Sequence, residues 1–139
     1  MKSGNYLNSL LAYLDAATGG YDDALLCNAD GHVTEGTTFN VGYIRRGIIA
    51  TSPLNIGILD GITRRALLGY AHKLGIPVRE TRFPKERLYE ADEVFVTSTI
   101  KEILPVTKLD GRKIGTGTCG KITLKLREGF RDYLRTSFS

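Results

Sequence analysis

Apolar residues recur at helical spacing in three stretches of the chain. In Asn5–Ala17, Ile62–Leu74 and Ile122–Leu134 they return every third or fourth position, and glycine closes the first two stretches. This spacing places the apolar side chains on one face of a helix. The pattern therefore predicts three amphipathic helices, with a fourth, short helix at Pro84–Ala91.

Short apolar runs between these stretches predict β-strands. Ala24–Cys27, the turn Asn28–Gly31 and the segment that resumes at Val33 predict a hairpin. Further strands are predicted at Thr38–Ile44, Ile48–Thr51, Pro77–Arg82, Val94–Thr97 and Ile103–Leu109. The mixture, without a repeat or a low-complexity linker, predicts one α+β domain over residues 1–139.

Composition excludes several classes of partner and site. The formal net charge is +4, but the basic residues are scattered in short pairs such as Arg45-Arg46 and Arg64-Arg65. They predict a solvated surface rather than a nucleic-acid partner. No apolar run approaches the roughly 18 residues that span a bilayer, so no membrane partner is expected. Cys27 and Cys119 have no metal-ligand spacing; we expect two reduced thiols, no metal and a cytoplasmic location.

Four segments combine polar groups with glycine or small residues: 2–6, 34–38, 59–64 and 97–99. The third suggests a mechanism, because backbone N–H groups of Gly61, Ile62 and Thr63 at a helix start would bind an anion. The alternative is that Asp60 simply caps this helix. The fourth segment could add hydroxyls to the same anion, or be an ordinary strand end. Taken alone, Lys2 is a solvated terminal lysine and Glu35 a surface acid.

Together, the four segments resemble one family. Its motifs are matched by Glu35–Asn40, Ile49–Thr51, Leu59–Arg64, Tyr89–Phe95 with Thr97-Ser98-Thr99, and Glu102–Val106. The chain resembles, from Lys2 to about Phe130, the class IV (fold-type IV) pyridoxal-phosphate enzymes, and most closely the branched-chain aminotransferases. The resemblance implies the C-terminal domain of the D-amino-acid aminotransferase-like fold, a mixed β-barrel-like core with outer helices.

The resemblance also implies roles for the matching residues. Lys2 corresponds to the catalytic lysine that binds pyridoxal 5'-phosphate covalently, and Tyr6 to the residue that bonds its phenolic oxygen. Glu35 corresponds to the carboxylate facing the pyridine nitrogen. The residues implied at the cofactor phosphate are Gly61, Ile62, Thr63, Ser98 and Thr99. Ile100 corresponds to a position where backbone approaches the substrate carboxylate, and Asn40 to a structural support.

The implied reaction is transamination. An amino acid passes its amine to the cofactor, and a 2-oxo acid, typically 2-oxoglutarate, collects it. Asn5-Tyr6 favours branched-chain L-amino acids, with D-amino-acid aminotransferase and aminodeoxychorismate lyase as alternatives in the same fold. A different alternative is a non-catalytic truncated domain that self-associates.

The chain departs from the family pattern in two places. The N-terminal domain that precedes this lysine in the family is absent from the sequence, so we expect a fragment or one half of a split enzyme. The expected partner is a second copy of the chain or a separate N-terminal half. After Asn40 the family has an aliphatic and then an aromatic residue, whereas here Val41 is followed by Gly42 and Tyr43. Either the aromatic ring is lost or the strand has a bulge.

Overall fold

The computed structural model of the protein describes residues 11–36, 39–56, 58, 61–98 and 102–138. The helices are α1, described over residues 11–18, α2 (Ile62–Lys73), α3 (Glu86–Tyr89) and α4 (Lys121–Phe138). The strands are β1 (Leu25–Cys27), β2 (Val33–Gly36), β3 (Asn40–Arg45), β4 (Ile48–Thr51), β5 (Val78–Glu80), β6 (Glu93–Ser98), β7 (Glu102–Pro105), β8 (Lys108–Leu109) and β9 (Arg112–Lys113). A 3-10 turn spans Leu54–Ile56.

A mixed sheet in the order β5-β4-β3-β6-β7 forms the centre of the described structure. Its neighbours are antiparallel except for β4 and β5, which are parallel because α2 connects them. Two hairpins, β1-β2 and β8-β9, form separate two-stranded sheets. This arrangement confirms the predicted α+β class.

Alternation along the strands gives the central sheet two apolar faces. Val41, Val94 and Val96 pack on one face with residues from the β1-β2 hairpin and the loops after β5 and β7. Ile44 and Phe95 face the opposite way, onto an apolar cluster with α2 and α4. The sheet is therefore buried on both sides, and α2 and α4 lie together on one of them.

Paired glycines set the contact between α2 and α4. A Cβ on Gly69 would lie 2.7 Å from the Tyr133 hydroxyl, and a Cβ on Gly129 would collide with the Tyr70 hydroxyl. The two tyrosine rings lie 5.2 Å apart between centroids. Each helix thus provides a gap for the other's tyrosine, which fixes how α2 lies across the sheet.

The pairing of β3 with the neighbouring strand decides whether the chain has a bulge after Asn40. β3 pairs with β6 in unbroken register from Asn40 opposite Thr97 to Ile44 opposite Glu93, which excludes a bulge. A Cβ on Gly42 would lie 2.6 Å from Cζ of Phe95. The aromatic ring at this position therefore comes from β6, and the glycine makes room for it.

Turn chemistry confirms the predicted β1-β2 hairpin and explains a second hairpin between β3 and β4. The Asn28 side-chain oxygen accepts the N–H groups of Asp30 and His32, each at 3.0 Å, and closes the β1-β2 turn. Arg46 and Gly47 both have positive φ angles, 52° and 78°, the twist required by the tight turn between β3 and β4. The Arg46 N–H donates to Asp92 at 2.8 Å, which holds this turn against the loop before β6.

One predicted strand is wrong. Ile103–Leu109 is not continuous: β7 ends at Pro105, and Lys108–Leu109 forms a hairpin with Arg112–Lys113. The Val106 N–H makes a last bond to the Val94 carbonyl of β6 at 2.8 Å, and beyond it the positive φ of Asp110 and Gly111 turns the chain back on itself. Apolar alternation continues through this region and cannot show that the pairing partner changes.

No helix within the described ranges is long and apolar enough to cross a membrane.

Candidate active site

The first turn of α2 has no side-chain cap from its N-cap residue. Gly61 is the N-cap, with extended φ and ψ angles of −67° and 140°, and its carbonyl accepts the Arg65 N–H at 3.0 Å. A glycine cap has no side chain to cover the first turn, and no acidic residue lies in that turn. Asp60, the alternative cap, lies outside the described residues. The N–H groups of the first turn lie at the positive end of the helix dipole.

Thr63 connects this turn to the end of β6. Its side chain is only 7% exposed. Its hydroxyl donates to the Ser98 carbonyl at 3.1 Å. The third and fourth polar segments of the sequence, which are 35 residues apart at these positions, are thus brought together in the fold. A ligand at the start of α2 would also lie near Ser98, the last residue of β6.

Asn40 lies directly behind the N-cap. It is buried at the start of β3, opposite Thr97 on β6. A Cβ on Gly61 would lie 2.5 Å from its Oδ1, so the backbone of α2 approaches Asn40 as closely as a glycine allows. This contact agrees with the supporting role that the resemblance implied for Asn40.

Arg64 corrects the prediction that the basic pairs lie on a solvated surface. It is 4% exposed, and Nη2 donates to Glu80 at 2.7 Å and to the Ser52 carbonyl at 3.1 Å. Its neighbour Arg65 is exposed. A signal was available in the sequence: arginine is unfavourable in the first turn of a helix, where acidic residues are preferred, so it requires a partner there.

The charges and donors at the start of α2 suit an anion. Arg64, Arg65 and the helix N-terminus contribute positive potential, and Glu80 pairs with Arg64 at 2.7 Å. A phosphate monoester is small, carries up to two negative charges and accepts several hydrogen bonds. The described residues therefore fit the phosphate group that the resemblance implied at Gly61, Ile62 and Thr63.

Glu35 lies on β2. This strand is distant from α2 in sequence and contacts β3 of the central sheet. Glu35 is half-buried, and the next residue, Gly36, donates its N–H to the Phe39 carbonyl at 2.7 Å immediately before β3. A Cβ on Gly36 would collide with the Phe39 ring. The close turn after Glu35 thus depends on glycine. The other expected site residues, Lys2, Tyr6, Thr99 and Ile100, lie outside the described residues.

Comparisons with known proteins identify one family. The model of the amino-transferase class IV family matches residues 1–109. A putative branched-chain-amino-acid aminotransferase of Methanocaldococcus jannaschii is 44% identical over 138 residues, covering 99% of this chain and 48% of that protein. The branched-chain-amino-acid aminotransferase of Escherichia coli strain K12 is 40% identical over 127 residues, covering 91% of this chain and 41% of that protein.

A solved structure extends the likeness to three dimensions. The branched-chain amino acid aminotransferase from Thermobaculum terrenum, in its PLP-form (holo-form), has a TM-score of 0.89 and 39% sequence identity. The match covers 95% of this chain and 44% of that one. The chain spans about half the length of the curated relatives that it matches.

Proposed function

The chain belongs to the class IV aminotransferase family, and on that premise we propose that it forms the cofactor-binding half of a pyridoxal-phosphate-dependent aminotransferase. The observation that carries this proposal is the start of α2: a glycine cap, no acidic side chain in the first turn, and the Thr63 hydroxyl bonded to the Ser98 carbonyl at 3.1 Å. These residues stand in the order of the family motif, where a phosphate group is bound.

The residues proposed to hold pyridoxal 5'-phosphate fall into two groups. Backbone N–H groups of Ile62 and Thr63, next to Gly61, bind the phosphate. Ser98 and Thr99 complete this end of the site. Lys2, Tyr6 and Glu35 hold the ring end. When bound, the cofactor supplies an electron sink for the electrons released at the substrate α-carbon.

The ring-end side chains have separate tasks. The Lys2 amine would hold the cofactor, and the same amine would move the proton at the substrate α-carbon. The Glu35 carboxylate keeps a proton on the pyridine nitrogen, and the Tyr6 hydroxyl bonds the phenolic oxygen. Backbone at Ile100 approaches the substrate carboxylate.

We propose branched-chain L-amino acids and 2-oxoglutarate as substrates. The names of the relatives from Methanocaldococcus jannaschii and Escherichia coli support this choice. D-Amino-acid aminotransferase and aminodeoxychorismate lyase are the alternatives within the fold. Turnover of L-leucine, D-alanine and aminodeoxychorismate separates the three; a preference for either of the last two would refute the branched-chain assignment.

A partner protein surface is also proposed, either a second copy of the chain or a separate N-terminal half. Large apolar side chains on and after α1 are exposed, namely Leu11, Tyr13, Leu14 and Tyr21. Such a patch favours association. The second candidate function, a non-catalytic domain that self-associates, shares this feature but predicts no covalent cofactor. Light scattering gives the oligomeric state, and cofactor titration distinguishes the two functions.

The decisive experiment is titration with pyridoxal 5'-phosphate. A visible absorption band from covalent attachment to a lysine is expected in the wild type, and borohydride should abolish the band and fix the cofactor to the protein. Lys2→Ala should lack the band, whereas Lys125→Ala, which removes an exposed lysine of α4, should retain it. An unchanged band in Lys2→Ala would refute the lysine assignment, and no band in the wild type would refute the proposed function.

A further inference from the structure

A buried polar chain joins the two ends of the proposed cofactor site. We infer that Ser52 and Arg64 are positioning residues, which set the separation between the phosphate-binding turn of α2 and Glu35 on β2. This inference rests on the proposed function. It concerns residues that touch neither the phosphate nor the ring but connect the elements that do.

The first link runs from α2 to the end of β4. Arg64 follows Thr63 directly, and its Nη2 donates to the Ser52 carbonyl at 3.1 Å. The same nitrogen donates to Glu80 on β5 at 2.7 Å. A guanidinium group buried to this extent is held in place by its partners, because leaving them would expose an unpaired charge to an apolar interior. These bonds therefore fix the position of the first turn of α2 relative to the central sheet.

The second link runs from Ser52 to β2. The Ser52 side chain is fully buried, and its hydroxyl donates to the Val33 carbonyl at 2.6 Å. Val33 and Glu35 are two residues apart on one strand, so their side chains project from the same face about 7 Å apart. The backbone that carries Glu35 is thus bonded to the residue that holds Arg64.

Both ends of this chain are themselves fixed. The Thr51 hydroxyl donates to the Val41 carbonyl at 2.9 Å, and the Thr51 carbonyl accepts the Thr81 N–H at 2.9 Å. On the other side, the Val33 N–H donates to the Phe83 carbonyl at 2.8 Å. Ser52, directly after the end of β4, is therefore bonded to two further elements. Its hydroxyl bonds β2, and its carbonyl bonds Arg64 of α2.

The chemical consequence concerns a ligand that is charged at both ends. A phosphate binds at α2 and a protonated ring nitrogen binds at Glu35, and both contacts form together only if their separation matches the ligand. Fixing that separation before binding removes the cost of ordering it afterwards. A ligand with only one of the two groups gains nothing from this preorganisation.

The test compares three ligands in the wild type and in Ser52→Ala. The substitution removes the hydroxyl but keeps the backbone carbonyl that Arg64 uses. The dissociation constant for pyridoxal 5'-phosphate should rise about tenfold, the equivalent of one lost buried hydrogen bond. Those for pyridoxal, which lacks the phosphate, and for inorganic phosphate, measured by competition, should change less than about twofold.

The control and a second variant exclude simple loss of folding. Thr123→Val removes another fully buried hydroxyl, on α4, which has no partner among the described residues; all three constants should stay unchanged. Glu80→Gln weakens the contact between Arg64 and its half-exposed partner. It should raise the dissociation constant for pyridoxal 5'-phosphate alone, by about threefold. Arg79→Gln, an exposed neighbour on β5, should have no effect.

The outcomes separate the two proposals. An unchanged constant for pyridoxal 5'-phosphate in Ser52→Ala, or an equal rise for all three ligands, overturns the positioning role and leaves the proposed function intact. A wild-type protein that gains no visible band with pyridoxal 5'-phosphate overturns both. A loss of affinity confined to pyridoxal 5'-phosphate, the ligand that carries both groups, supports the inference.

Discussion

The N-termini of α2 and α4 share one backbone arrangement, with a glycine whose carbonyl accepts the N–H of the residue four places later. Gly61 accepts from Arg65 and Gly120 from Leu124, each at 3.0 Å. At α4 the exposed donors are already used. Glu93 on β6 accepts the N–H groups of Ile122 and Thr123 at 3.2 and 2.7 Å.

At α2 no carboxylate of the described residues takes the equivalent place, and the first turn carries arginines instead. The same physical requirement, an acceptor for unpaired N–H groups, is therefore met from inside the protein at α4. At α2 none of the described residues meets it in this way, which suits the proposed phosphate. The role of a helix start thus depends on what the adjacent strand supplies as well as on the helix itself.

The largest effect on this comparison is expected from Gly120→Ala. The new Cβ would collide with the Glu93 carboxyl group and expel it from the start of α4. Two charge-assisted hydrogen bonds would be lost, so the free energy of unfolding should fall by about 3 kcal/mol. Urea unfolding measures it. Gly19→Ala, whose Cβ would meet only ordinary contacts, is the control; a loss no larger than the control's would contradict the proposed crowding.

A smaller loss is expected from Glu93→Gln. The amide keeps the shape of the side chain but removes the negative charge at the positive end of α4, which should cost about 1.5 kcal/mol of stability. Affinity for pyridoxal 5'-phosphate should not change, because Glu93 and the start of α4 are not part of the proposed cofactor site. Glu128→Gln changes an exposed acid in the interior of the same helix and should have little effect. Weaker cofactor binding in Glu93→Gln would show that the two termini are not independent.

Ile62→Glu gives α2 the acid that its first turn lacks. Ile62 is 68% exposed, so the longer side chain fits without repacking. The carboxylate should stabilise the helix by about 0.5 kcal/mol and weaken pyridoxal 5'-phosphate binding about tenfold, by repelling the phosphate. Calorimetry measures both. Ile62→Gln isolates the charge from the change of shape, and equal affinities for Gln and Glu would argue against an anion site.

A smaller effect on cofactor binding than that of Ile62→Glu is expected from Thr63→Val. The isosteric change removes the hydrogen bond to the Ser98 carbonyl and should lower stability by about 1 kcal/mol. Binding of pyridoxal 5'-phosphate should weaken severalfold, while Thr63→Ser, which retains the hydroxyl, should bind close to the wild type. If the serine variant is as weak as valine, the methyl packing of Thr63 matters more than its hydroxyl.

Periodicity and turn residues predicted most of the fold. The ranges of α2, β4 and the β1-β2 hairpin agree with the apolar pattern, since their structure depends on local spacing and on turn residues such as Asn28 and Gly47. The break between β7 and β8 was not predictable in this way. It depends on which strand pairs with which, and alternation of apolar residues carries no information about the partner.

Family motifs and helix-start signals are local in the chain, so the family, the α+β class and the candidate anion site at Gly61-Ile62-Thr63 could be predicted before folding was considered. The environment of Arg64 could not. Its burial against Ser52 and Glu80 depends on β4, β5 and α2 meeting in space. The same holds for Glu93, which lies 29 residues before the Ile122 N–H that it binds. Whether a helix terminus stays open for a ligand is thus decided by residues distant in sequence, through contacts that form only on folding.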